Sequence, residues 1–99
     1  MKAFVQSVNF KADQSLIDFI EKKLSSLDKY YDKIVDAEVF LKVQHTSEKE
    51  NKLVDIKINV PGNELVVKKQ SKTFEEGATI AVDSLKRQLR KKKEKIRAK

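Results

Sequence analysis

Two stretches decide the architecture: D-A-E-V-F-L-K-V-Q (residues 36–44) and K-L-V-D-I-K-I-N-V (residues 52–60). In the first, Ala37, Val39, Leu41 and Val43 alternate with Glu38, Phe40, Lys42 and Gln44. In the second, Val54, Ile56, Ile58 and Val60 alternate with Asp55, Lys57 and Asn59. Successive side chains of an extended chain point to opposite faces, so a period of two predicts strands with one buried and one wet face. The wholly polar H-T-S-E-K-E-N between them (45–51) reads as a mobile hairpin loop.

Working outward toward the C-terminus, Pro61-Gly62-Asn63 is a turn, because Pro fixes φ while Gly and Asn tolerate positive φ. A short strand over 64–70 follows, and Thr73 can cap a last helix that buries Phe74, Ala78, Ala81, Val82, Leu85 and Leu89. Beyond Leu89 only Ile96 continues the apolar stripe, so the helix is expected to run past the core as a cationic rod. Toward the N-terminus, Asp13 can cap a helix whose stripe is Ile17, Ile20, Leu24, Leu27 and Tyr31, ending near residues 30–33. Before it, residues 2–9 alternate loosely as a first strand. The order β-α-β-β-β-α predicts an α+β fold: a two-layer sandwich of a four-stranded sheet with both helices on its apolar face. With 99 residues and no interdomain linker or repeat, residues 1–99 read as one domain.

Charge is distributed unevenly. The segment from Lys86 to Lys99 holds nine Lys or Arg and one acid, Glu94, a net +8 where the whole chain carries +7. Everything before Lys86 therefore sits at −1. A sequence pI of about 9.6 makes a polyanion the first partner to consider. The absence of cysteine excludes disulfides, thiolate chemistry and Cys-based zinc sites. Neither a signal-peptide run nor a membrane-length apolar stretch occurs, and the chain reads as soluble and cytoplasmic.

Catalysis has few parts to work with. His45, the only histidine, falls in the polar loop and reads as a solvated residue. Asp18, Glu21, Asp28 and Asp32 lie mostly on an exposed helix face. Metal-ligand spacing, a nucleophile elbow and a Gly-rich phosphate loop are missing, so no enzyme, metal or cofactor is expected. The basic helix is different. Lys86, Arg90, Lys93 and Arg97 fall on one helical face, with Arg87, Lys91 and Lys95 in a neighbouring row. Like charges at i,i+4 cost about 0.2–0.5 kcal/mol per pair, a cost a bound polyanion removes. Phe40 is the only clear aromatic expected on the open sheet face, so that sheet is a poor reader of stacked bases. A membrane-surface helix would need bulky apolar residues opposite the charge, which residues 90–99 lack. Phosphate contacts to structured RNA fit best.

Four segments in order resemble the short ribosome hibernation-promoting factors, a family that includes ribosome-associated inhibitor A. They are E-K-K-L-S-S-L-D-K-Y-Y-D-K-I (21–34), V-F-L-K-V (39–43), V-P-G-N-E-L-V-V (60–67) and V-D-S-L-K-R-Q-L-R-K-K-K-E-K (82–95). The resemblance implies the same β-α-β-β-β-α order, with a shape like double-stranded-RNA-binding domains. It implies binding to the small ribosomal subunit and the whole ribosome, in the channel for mRNA and tRNA. There it would inhibit translation and preserve idle ribosomes in stationary phase or stress. The RNA-binding residues it implies are Lys22, Lys23 and Lys29 on the first helix, and Arg87, Arg90, Lys91 and Lys93 on the second. No membrane and no small-molecule substrate enter this reading. The sequence departs from the family where T-F-E-E-G-A-T (73–79) replaces a Tyr-containing motif, and where Lys92 replaces a common His. Ending at Lys99, the chain is expected to lack the C-terminal dimerisation domain of the long forms. Two other readings stay open: a generic structured-RNA binder, and a module docking its basic helix on an acidic partner protein.

Overall fold

A computed structural model describes residues 1–44, 47 and 49–97, with side chains described through Lys92. His45, Thr46 and Glu48 of the polar loop read as mobile lie outside the described residues, and so do residues 98 and 99. Seven elements follow one another: β1 (Lys2–Val8), α1 (Gln14–Ser25), a 3-10 turn (Ser26–Lys29), β2 (Asp36–Val43), β3 (Lys52–Val60), β4 (Asn63–Ser71) and α2 (Phe74–Arg97). The four strands form one sheet in the order β1-β2-β3-β4. β1 and β2 are parallel, so the chain between them must cross over the sheet, and α1 makes that crossover. β2–β3 and β3–β4 are antiparallel.

The alternating strands deliver their apolar set to one face. Ala37, Val39 and Leu41 of β2 join Val54, Ile56 and Ile58 of β3, all at 0% exposure, and Val67 of β4 adds to them. Against this layer α2 presents Phe74, Ala78, Ala81, Val82, Leu85 and Leu89, the stripe expected from the sequence. The α1 stripe is shifted from its expected line. Leu16, Ile20, Leu24 and Leu27 are buried, while Ile17 is only half-buried. Spacings of four from Leu16 to Leu24 keep the packed row on one side, and Ile17 stands about 60° round from its centre, at the row's margin. The α-helix also stops at Ser25 and tightens into the 3-10 turn, earlier than residues 30–33. There Ser25 and Ser26 hydroxyls donate to the carbonyls of Lys22 (2.8 Å) and Lys23 (2.6 Å). Serines that bond back onto their own helix compete with its regular ladder.

Both expected caps form. The Asp13 carboxylate accepts from the Leu16 N–H at 2.9 Å, and Thr73 Oγ1 accepts from the Glu76 N–H at 3.1 Å. Asn9, at φ 61°, turns the chain out of β1 in the left-handed region that Asn tolerates better than most residues. Phe10 then stacks on Phe74 with ring centroids 5.1 Å apart, joining the first loop to the start of α2. Gly77 lets that helix sit close on the sheet. A Cβ there would lie 2.6 Å from Ser71 Oγ and 2.9 Å from Val54 Cγ2.

Across the open face, the register sets Phe4 beside Glu38 and Phe40 beside Gln6 and Asp55. Phe4 is 50% exposed and Phe40 38%, so the face carries two aromatics where the sequence reading counted Phe40 alone. The loose alternation of β1 did not reveal which side Phe4 takes; parallel pairing with β2 decides it. Lys57 in this face bridges Glu38 (3.6 Å) and Glu64 (3.3 Å).

Candidate nucleic-acid interface

α1 and α2 lie side by side on the sheet, and the charged residues converge along their junction. Lys22 and Lys23 occupy the last turn of α1, where the negative end of the helix dipole favours cations. Lys86 sits three residues before the last buried leucine of α2, Leu89, and faces the cleft that Phe19, Lys22 and Lys23 of α1 also line. Together with Phe19 and Ser26 these three lysines line a cleft of about 420 Å³.

Aromatic faces rather than carboxylates hold two of the lysines. Lys23 Nζ stands 5.6 Å from the Phe19 ring centroid, and Lys86 Nζ stands 5.3 Å from that of Tyr30. A ring face attracts a cation without neutralising it, and such contacts are worth about 0.5–1 kcal/mol at exposed sites. Among the described residues, the ion pairs join the N-terminal amine to Asp28 and Lys57 to Glu38 and Glu64; none involves the cleft. The cleft therefore keeps its full positive charge on partly immobilised side chains, which is the arrangement an anion needs.

The α2 helix carries this charge outward. Its 24 residues span about 36 Å at 1.5 Å per residue, and the molecule measures 49 Å along its longest axis. Arg90 lies one turn beyond Lys86 on the same flank, and the backbone of Lys93 continues that row. The side chain of Lys93 is outside the described residues. Arg87 and Lys91 are exposed but stand about 100° round the helix from Lys86 and Arg90, on the side opposite the buried Leu85 and Leu89.

The residues named from the sequence thus divide. Lys22 and Lys23 meet at the cleft, with Arg90 on its extension. Arg87 and Lys91 form a second, parallel row. Lys29, exposed in the 3-10 turn, is not among the residues lining the cleft. Lys86 belongs with the site although the resemblance does not carry it. Its signal in the sequence is its place four residues before Arg90. Phe19, Ser26 and Tyr30 gave none, since only the packing of α1 on α2 brings them beside Lys86. Among the described residues, no group of three or more His, Cys, Asp or Glu is placed to hold a metal ion. Nor is any described helix long and apolar enough to cross a membrane.

Known proteins are similar to this chain in sequence and fold. The family model described as Sigma 54 modulation protein / S30EA ribosomal protein matches residues 4–97. A ribosome hibernation promoting factor of Pseudomonas putida is 28% identical over 95 residues, covering 96% of this chain and 89% of the relative. A ribosome hibernation promotion factor of Deinococcus radiodurans is 35% identical over 85 residues; the match covers 84% of this chain but 44% of that longer protein. The crystal structure of the Thermus thermophilus Protein Y N-terminal domain superposes with a TM-score of 0.77 at 26% identity, covering 92% of this chain and 98% of that one. A ribosomal subunit interface protein from Coxiella burnetii, 22% identical with a TM-score of 0.82 over 94% of this chain and 98% of its own, shares the fold.

Proposed function

The chain belongs to the Sigma 54 modulation protein / S30EA ribosomal protein family, and from that premise we propose that it is a ribosome hibernation factor. It binds ribosomal RNA of the small subunit in the channel that mRNA and tRNA otherwise occupy. It blocks translation there by filling space and keeps idle ribosomes intact during starvation or stationary phase. The work is done in the cytoplasm, by residues 1–99 acting as one ribosome-binding domain.

The observation that carries this reading is the α1/α2 cleft, where Lys22, Lys23 and Lys86 converge without a carboxylate partner among the described residues. Lys29, Arg87, Arg90, Lys91 and Lys93 extend the contact to neighbouring phosphates. The Phe19 and Tyr30 rings beside the cleft are engaged by Lys23 and Lys86, and cations used in this way recognise the spacing and shape of a phosphate backbone rather than its sequence. Ribosomal RNA in a narrow channel offers such phosphates from several sides. The mechanism is occlusion, and no bond is made or broken.

Co-sedimentation of the purified protein with ribosomes and separated subunits, at low and moderate salt, tests the proposal. The expected result is comigration with the small subunit and the whole ribosome, prevented by prebound mRNA and initiator tRNA. A protein left at the top of the gradient that still binds free duplex RNA would instead be a generic RNA binder. If it binds neither, the basic helix serves an acidic partner protein.

A further inference from the structure

β4 closes the sheet on one side, and among the described residues no strand covers its outer edge. Such an edge is a template for another strand, and proteins commonly guard it with lysines. β4 has Lys68 and Lys69, but their placement does more than guard. Exposure alternates along the strand, with Glu64, Val66 and Lys68 on the open face and Leu65, Val67 and Lys69 toward the helices. Val66 is 49% exposed, among the most open large apolar residues of the molecule.

From this pattern we infer that the β4 edge pairs antiparallel with the same edge of a second copy of this chain, about a two-fold axis at Val66. When one edge pairs with itself antiparallel, both copies show the same face, and residues equally spaced before and after the axis stand opposite each other. Centred on Val66, Glu64 of each copy faces Lys68 of the other, Val66 faces Val66, and Leu65 faces Val67. Moving the axis one residue on sets Val66 against Lys68 and Leu65 against Lys69. Moving it one residue back sets Glu64 against Val66 and Gly62 against Lys68. One register matches charge to charge and apolar to apolar on both faces at once.

The neighbouring strand reinforces that register. Lys68 stands opposite Asp55 of β3, so the row Asp55, Lys68, then Glu64 of the second copy alternates in sign across the seam. Glu64 already accepts from Lys57 at 3.3 Å with one carboxylate oxygen, Oε2, leaving Oε1 for the new lysine. Cross-strand pairs of opposite charge are favourable and like charges opposite each other are not. The two-fold axis stands perpendicular to the sheet, so the helices of both copies lie on one side. The dimer presents two cationic clefts in the same direction, and attachment through both raises avidity without any new contact. A net charge of +7 on each copy opposes association at low ionic strength. Screening shortens from about 30 Å at 0.01 M salt to about 10 Å at 0.1 M, so the pairing is expected at moderate salt.

Sedimentation equilibrium of the free protein across a wide concentration range tests this independently of any ribosome. The average mass is expected to climb from 11.4 kDa toward twice that value at moderate salt. Glu64→Lys and Lys68→Glu should each hold it at the monomer, and the double exchange E64K/K68E should restore the dimer. Facing residues in such a pair have Cβ atoms about 4.5–5.5 Å apart, close to the separation a disulfide needs. The chain has no cysteine of its own, so Val66→Cys should cross-link rapidly under mild oxidation. Val8→Cys, on the opposite edge strand, should not. A constant monomer mass at every concentration and salt, with V66C no faster than V8C, overturns the inference. So does a dimer that both single charge reversals leave intact.

Discussion

The double substitution Lys86→Gln and Arg90→Gln addresses the row that joins the cleft to the projecting helix. Six of the cations proposed to contact phosphate lie on the two helices with described side chains: Lys22, Lys23, Lys86, Arg87, Arg90 and Lys91. A protein that neutralises Z phosphates on a duplex releases their counterions, and log K falls with log salt at a slope of about −0.9Z. With all six engaged the slope is about −5.4; removing two cations brings it to about −3.6. Between 50 and 200 mM salt the native protein should thus lose about 3 decades of affinity and the variant about 2. Both side chains lie off the leucine stripe, so far-UV circular dichroism should hold, and the unfolding midpoint should fall only by what the Lys86–Tyr30 contact contributes, about 0.5–1 kcal/mol. The assay is binding to isolated small subunits at five or more salt concentrations, with Lys42→Gln on the open sheet face as control. An unchanged slope in K86Q/R90Q, or an equal drop in the control, would refute the assignment of this row to phosphate contact.

Three further outcomes test the packing and charge of the fold. Gly77→Ala should destabilise by about 1–2 kcal/mol in urea unfolding despite alanine's better helix propensity, because its Cβ would press Ser71 Oγ at 2.6 Å and Val54 Cγ2 at 2.9 Å. Ser71 cannot swing aside freely, since its hydroxyl donates to the Thr73 carbonyl. Leu89→Ala, at the outer limit of the buried stripe, should cost about 2–5 kcal/mol and also lower helicity, by releasing the basic segment from the core. Lys57 is held above the ordinary lysine value of 10.5, first by hydrogen bonding and charge from Glu64 and then by the charge of Glu38. A raised pKa means the folded state binds this proton more tightly. The associated stability is complete below the ordinary value and is lost as pH climbs through the raised one. NMR titration of Lys57 should show Glu64→Gln lowering its midpoint more than Glu38→Gln does.

Much of this molecule was legible in the chain because local periodicity is set by near neighbours. Alternation over 36–44 and 52–60 gave the two central strands and their buried faces, and Asp13 and Thr73 marked the helix starts that their carboxylate and hydroxyl then cap. The excess charge after Lys86 was readable by counting, and the four family-like segments pointed to the family whose model matches residues 4–97.

What tertiary structure decided is whatever depends on residues far apart in the chain. Burial of Leu16 ahead of Ile17 follows from the angle at which α1 meets the sheet, since both residues fit an amphipathic stripe taken alone. The exposure of Phe4 follows from parallel pairing with β2, which a short, loosely alternating strand cannot specify by itself. The cleft is the clearest case. Lys22 and Lys23 are separated from Lys86 by some sixty residues and three strands. Each looks in the sequence like an ordinary solvated base on a helix. Only the packing of Leu24 and Leu27 with Leu85 and Leu89 into one core brings the two helices together and sets Lys86 against the Tyr30 ring, whereas Lys23 meets Phe19 four residues away on its own helix. The sequence determined how much positive charge the protein carries and on which helices. The hydrophobic contact between those helices determined where that charge converges, because burial of apolar surface, and not attraction among the lysines, holds them side by side.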